Sequence, residues 1–118
     1  MVTPKLSADG KTLTCRMRGD LTSTRTEACA RQIAAIVKNY EQGRWNVLSL
    51  DLNAARMVDS AGLNVILRVV NMMEEQGRSV KVLVSSSAVQ HALEYTRMDR
   101  KVEVIMRTRR PKRAMRAG

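Results

Sequence analysis

Strand-like and helix-like apolar patterns alternate along this chain, and that alternation constrains the fold more than any other feature. Two short strand patterns come first, around Val2–Leu6 and residues 12–18; in the second, Leu13, Cys15 and Met17 alternate with Thr14, Arg16 and Arg18. Ala8-Asp9-Gly10 between them is a hairpin signal. Thr24-Arg25-Thr26-Glu27 has capping-box spacing and predicts a helix starting there. Cys29, Ile33, Ile36, Val37 and Tyr40 then form one helical stripe, with Gly43 as the expected left-handed residue that ends it.

Residues 45–52 are apolar on both faces, which predicts a central strand covered on two sides. After a loop over 53–58, Leu63, Ile66, Leu67, Val70 and Met73 mark a second helix that ends at Gly77. Val80, Val82 and Val84 form another strand, and Ser85-Ser86-Ser87 offers N-caps to a third helix with Val89, Leu93 and Thr96 on its inner side. Val102, Val104 and Ile105 make the last strand. The order β-β-α-β-α-β-α-β predicts an α/β domain with packed helices and a mixed, mostly parallel sheet whose first strand is added antiparallel by the hairpin.

Charge divides the chain in two. Its 118 residues carry 21 basic and 11 acidic side chains, a net +10. Six of the basic residues (Arg107, Arg109, Arg110, Lys112, Arg113, Arg116) lie within 107–118 with no acid, leaving 15 basic against 11 acidic before them, or +4. Residues 1–106 are therefore expected to form the domain, and 107–118 a basic, disordered tail. Such a tail either solubilises the chain or meets an anionic partner. The domain itself lacks interleaved aromatics for stacking bases, so no direct nucleic-acid contact is expected from it.

Several chemistries lack their residues. Only Cys15, Cys29 and His91 are present as soft ligands, without metal spacing, so neither a zinc site nor a disulfide framework is encoded and no cofactor is expected. No apolar run approaches the ~18 residues of a membrane span, and residues 1–5 lack a signal-peptide core, which predicts a cytoplasmic protein. Gly10-Lys11-Thr12 has no preceding glycine loop to cradle phosphate.

In a sheet of this kind functional groups collect where strands end and helices begin. There the chain reads Met57-Val58-Asp59-Ser60-Ala61-Gly62-Leu63. Ser60 is placed to cap the second helix by accepting from the Gly62 or Leu63 amide. A phosphate on it would be tolerated at a helix N-terminus, yet would add charge beside Asp59 and to the apolar rim of Met57, Val58 and Leu63. That combination repels a partner without unfolding the domain.

This segment, preceded by a strand ending in Asp51-Leu52, resembles the signature of STAS domains, specifically the bacterial anti-sigma-factor antagonists. The resemblance covers most of the chain: Gly19-Asp20-Leu21, residues 76–84 and Leu93-Glu94-Tyr95-Thr96-Arg97-Met98-Asp99 follow the family's order. It implies that Ser60 is a phosphate acceptor, modified by an anti-sigma factor with serine kinase activity and restored by a serine phosphatase. The unphosphorylated form would bind the anti-sigma factor and free the sigma factor, regulating transcription without being an enzyme. Asp20, Leu21, Thr22, Met57, Val58, Asp59, Ala61, Gly62, Leu63, Ser85 and Ser86 would meet the partner. Thr22 departs from the pattern, since many relatives carry aspartate there. Two alternatives remain: a scaffold subunit of a stress-signalling or membrane-transport complex, and a response-regulator receiver phosphorylated at Asp51, which would require magnesium-binding carboxylates.

Overall fold

Gly10 reverses the chain at φ 73°, while Asp9 Oδ1 accepts from the Ser7 hydroxyl at 2.7 Å and the Lys11 amide at 3.0 Å. β1 (Val2–Leu6) thereby pairs antiparallel with β2 (Thr12–Met17). Then follow α1 (Thr26–Asn39), β3 (Val47–Leu52), α2 (Ser60–Glu75), β4 (Ser79–Val84), α3 (Ser87–Tyr95), one 3₁₀ turn (Met98–Arg100) and β5 (Glu103–Met106). This computed structural model describes residues 2–107. The expected tail, Arg107 excepted, lies outside the described residues.

The strands lie in the order β1-β2-β3-β4-β5, with β2 to β5 parallel. Each parallel connection advances one position in the same direction, so right-handed crossovers place all three helices on one face. Burial follows that geometry. Leu13, Cys15, Met17, Leu48, Leu50, Leu52, Val80, Val82 and Val84 are buried, whereas the alternating Thr14, Arg16, Lys81 and Leu83 are wholly or partly exposed. β3 is buried on both faces, as its sequence predicts, although helices cover only one. On the other face Ser49 lies between Thr14 and Lys81, and Asp51 between Arg16 and Leu83. Arg16 Nε donates to Asp51 Oδ2 at 3.3 Å, pairing the one buried carboxylate among the described residues.

The core is aliphatic, with Trp45 its one large buried aromatic. Both cysteines are free and buried, and burial pushes the Cys15 thiol up to about 12, so it stays protonated.

Several helix ends differ from the sequence expectation for identifiable reasons. Thr24 does not cap α1. The preceding residue is Arg25, with no side-chain cap, and its amide closes a turn on the Thr22 carbonyl at 2.8 Å. The Ser23 amide is drawn instead to Asp59 at 2.7 Å, which holds residues 22–25 as a turn. Gly43 is not left-handed; a side chain there would lie 2.9 Å from Trp45 Cδ1, so glycine leaves room for the indole. Gly77, at φ 72°, does follow the end of α2. Ser86 caps α3 by accepting from Val89, whereas Thr96 is exposed and turns its hydroxyl back to the Ala92 carbonyl at 2.8 Å.

At the edge where the parallel strands begin, Arg78 joins the two loops that follow α1 and α2. Its guanidinium stacks 3.7 Å from the Trp45 ring centroid and donates to the carbonyls of Trp45 (2.8 Å), Gly43 (2.9 Å) and Glu41 (3.4 Å). The indole in turn donates to the Tyr40 carbonyl at 2.7 Å. Loop carbonyls have no ladder donors, and one arginine supplies three of them here.

Candidate functional site: the loop edge at the head of α2

Three loops meet where β2, β3 and β4 end, over residues 18–25, 53–59 and 85–86. Backbone pairing joins the first two: Leu21 and Val58 form a short parallel bridge, with the Leu21 amide on the Met57 carbonyl at 3.1 Å and the Asp59 amide on the Leu21 carbonyl at 3.3 Å. Two carboxylates reinforce it. Asp20 Oδ1 accepts from the Arg56 and Met57 amides at 2.7 and 3.2 Å. Asp59 accepts from the Gly62 amide at 2.9 Å and, through its other oxygen, from the Ser23 amide at 2.7 Å. These bonds, the Gly62 one foremost, hold the Asp59 carboxyl below the usual carboxylate range.

Asp59, not Ser60, is therefore the cap of α2. A carboxylate can serve its own helix and the neighbouring loop at once, which a single hydroxyl does less well. Ser60 becomes the first helical residue, exposed, and its hydroxyl has no hydrogen-bond partner among the described residues.

The remaining expected residues divide into rim and support. Met57 is 58% exposed and Val58, Ala61, Leu63 and Thr22 are half-buried, around the serine. Leu21 is 1% exposed, and a methyl group on Gly62 would overlap the Leu21 carbonyl oxygen. Those two shape the edge from beneath.

Ser85 and Ser86 reach it through residues the sequence reading did not single out. The Ser85 hydroxyl bonds Asn53 Oδ1 at 2.7 Å, and the Ser86 hydroxyl donates to the Arg56 carbonyl at 3.4 Å. An open groove of about 530 Å³ lies between residues 53–56 and 85–87. Asn53 had a local signal, because an Asp two residues earlier is an Asx-turn spacing; its amide donates to Asp51 Oδ1 at 3.0 Å. The Ser23 amide and the Arg56 carbonyl had none, since backbone groups carry no residue code.

Chemically this edge presents an exposed, unengaged hydroxyl rather than a nucleophile paired with a base. His91 is exposed on α3, and no group of three metal-ligating side chains occurs among the described residues. Asp51 is 6% exposed and bonded to Arg16 and Asn53. The receiver fold has strand order 2-1-3-4-5, which the sequential order here is not.

A one-sided sheet of sequentially ordered strands, with a clasped loop edge and a serine at the head of its second helix, defines a compact α/β domain. The STAS domain family model matches residues 3–110, and the chain belongs to that family. No curated protein matches it by sequence. Solved structures match it in fold. A Thermotoga maritima protein assigned as an anti-sigma factor antagonist superposes with a TM-score of 0.75 at 18% identity, covering 98% of this chain and 92% of that one. An anti-sigma factor antagonist from Mycobacterium paratuberculosis gives 0.71 at 16% identity, over 89% and 86%. The anti-sigma factor antagonist SpoIIAA in its unphosphorylated form gives 0.66 at 16%, over 98% and 93%. At such identities the likeness is one of fold. Among the described residues no helix is long and apolar enough to cross a membrane.

Proposed function

We propose that this chain is an anti-sigma-factor antagonist controlled at Ser60. Unphosphorylated, it binds an anti-sigma factor with serine kinase activity; phosphorylation of Ser60 releases it, and a serine phosphatase restores it. The observation that carries this reading is the division of labour at the head of α2. Asp59 does the capping, so the Ser60 hydroxyl can be modified without removing a bond that holds the helix. The helix N-terminus tolerates the added charge locally, while the exposed Met57 beside it belongs to a surface that the charge spoils for an apolar partner. The structural relative SpoIIAA is known in both unphosphorylated and phosphorylated forms.

On this reading the domain is a cytoplasmic binding module and not an enzyme. Its body spans residues 1–106 with the basic segment 107–118 appended, and its contact surface comprises the loop-edge residues that surround Ser60. The test is a pair of measurements on Ser60→Asp. Binding to the anti-sigma factor should fall at least tenfold, the effect of about 1.4 kcal/mol, while thermal unfolding stays within about 0.5 kcal/mol of wild type, as for an exposed site. Equal binding by the two proteins refutes the switch. Incubation with the kinase and ATP followed by mass spectrometry should place the phosphate on Ser60.

A further inference from the structure

Five arginines stand on the loop edge at the head of α2: Arg16 near the end of β2, Arg18 and Arg25 on the first loop, Arg56 on the second and Arg107 after β5. Their placement is fixed by short contacts. Arg25 Nη2 donates to the Arg18 carbonyl at 2.8 Å, and the Arg56 amide to Asp20 on the first loop at 2.7 Å. Arg16 and Arg107 line one pocket of about 280 Å³ with Asn53 and Ala54.

The carboxylates of that edge are already engaged. Asp20 and Asp59 hold four backbone amides, and the buried Asp51 is paired with Arg16. The other ion pair among the described residues joins Glu27 to Arg68 at 3.6 Å, so Arg18, Arg25, Arg56 and Arg107 have no carboxylate partner among those residues. The exposed Asp9, Glu41, Glu74 and Glu75 lie at the opposite edge, in the β1–β2 hairpin and at the ends of α1 and α2.

Unpaired guanidinium groups beside an exposed apolar side chain suit a protein partner, because arginine forks match carboxylates and methionine packs against apolar groups. Met57, 58% exposed, follows Arg56 directly, and Val58 and Leu63 are half-buried beyond it. A nucleic acid would use the cations but leave that rim uncovered, and the edge holds no aromatic side chain to stack a base.

We propose that this edge docks an acidic segment of a partner protein, whose apolar side chain covers Met57 while flanking carboxylates pair with Arg18, Arg25 and Arg56. The idea rests on the reading of this edge as the partner-binding surface and names the chemistry of what it binds. Charge pairs of this kind steer encounter and set specificity, and they weaken in salt.

The experiment selects binders to the full chain from a phage library of short random peptides. Selected peptides should carry Asp or Glu on both sides of an apolar residue. Synthetic copies should bind Arg18→Glu/Arg56→Glu at least about tenfold more weakly than wild type. Arg25 is left in place because its guanidinium also holds the Arg18 carbonyl. The control, Lys11→Glu/Arg44→Glu, makes the same change of net charge at the opposite edge and should bind as wild type does. Thermal melting checks that each variant is folded; should the Glu pair unfold, Arg18→Gln/Arg56→Gln carries the test with a loss of about threefold. Peptides without acidic enrichment overturn the proposal, as do acidic peptides that bind the edge and control variants alike. A DNA duplex that binds more tightly than any selected peptide, and is lost in Arg18→Glu/Arg56→Glu, overturns it too. Ser60→Asp separates the proposal from the switch. An acidic peptide that binds Ser60→Asp and wild type equally supports the docking chemistry while the switch fails; an acid-free peptide that Ser60→Asp loses overturns the docking chemistry while the switch stands.

Discussion

The two ends of the sheet solve the same mechanical problem with opposite charges. Where the parallel strands end, amides of the loops and of the first turn of α2 are gathered by carboxylates: Asp20 on Arg56 and Met57, Asp59 on Ser23 and Gly62. Where the strands begin, helices have just ended, and carbonyls of the loops that follow them are gathered by one guanidinium, Arg78. Each charge matches the backbone groups it meets, carboxylates on amides and a guanidinium on carbonyls. The two ends differ in what is left over. Arg78 spends its donors on the loops and its face on Trp45, whereas the acidic end leaves a serine hydroxyl and a methionine side chain in solvent. At one end the polar side chain is consumed by the fastening; at the other, side chains beside the fastening remain exposed.

The largest effect expected from breaking this contrast is at Gly62. Glycine to alanine within a helix normally stabilises by up to ~1 kcal/mol, but here the methyl group collides with backbone, the Leu21 carbonyl. Gly62→Ala should therefore reverse the sign, costing about 2–3 kcal/mol in urea denaturation, and should also weaken anti-sigma binding because the clasped loops must separate.

At the opposite end, Arg78→Ala strands carbonyls and uncovers the indole, for a loss of about 2 kcal/mol. Arg78→Lys should recover only part of it, because an ammonium has neither the fork nor the flat face. Both variants should bind the anti-sigma factor as wild type does, measured at a temperature where they are folded. Weakened binding would mean that the two ends are not functionally separate.

The smallest stability effect, and the one that sharpens the electrostatic half of the comparison, is at Asp59. Asp59→Asn keeps one acceptor oxygen and loses the charge, so its melting temperature should be modestly lower at neutral pH. Because the folded Asp59 carboxyl titrates below its unfolded value, its contribution is complete above the unfolded value near 4 and fades as pH falls through the folded one. The gap between wild-type and Asp59→Asn melting curves should close below about pH 4. A gap unchanged down to pH 2 would show that the charge is immaterial.

What could be read from the sequence, and what could not, follows the range of the interactions concerned. Alternation at Leu13, Cys15 and Met17 and the stripe from Cys29 to Val37 locate elements correctly because each records burial against a single layer. Asp59 and Ser60 are both good caps, and the sequence alone does not rank them; the Ser23 amide, 36 positions away, decides in favour of the residue with two acceptor oxygens. The same distant bond empties the Thr24-to-Glu27 capping box. Gly43 departs from its expected role for a related reason, since its glycine answers to the indole of Trp45 and not to a left-handed turn. Arg78 gave no signal because its partners are backbone carbonyls.

The strand order bears finally on assembly in time. Every strand pairs with the one synthesised just before it, so each βαβ unit of roughly thirty residues meets an edge already in place. In a chain that emerges N-terminus first the Leu21–Val58 clasp can form before β4 and β5 exist. The clasp beneath Ser60 thus needs only the first three strands, and the Ser85 and Ser86 hydroxyls join it once β4 is in place.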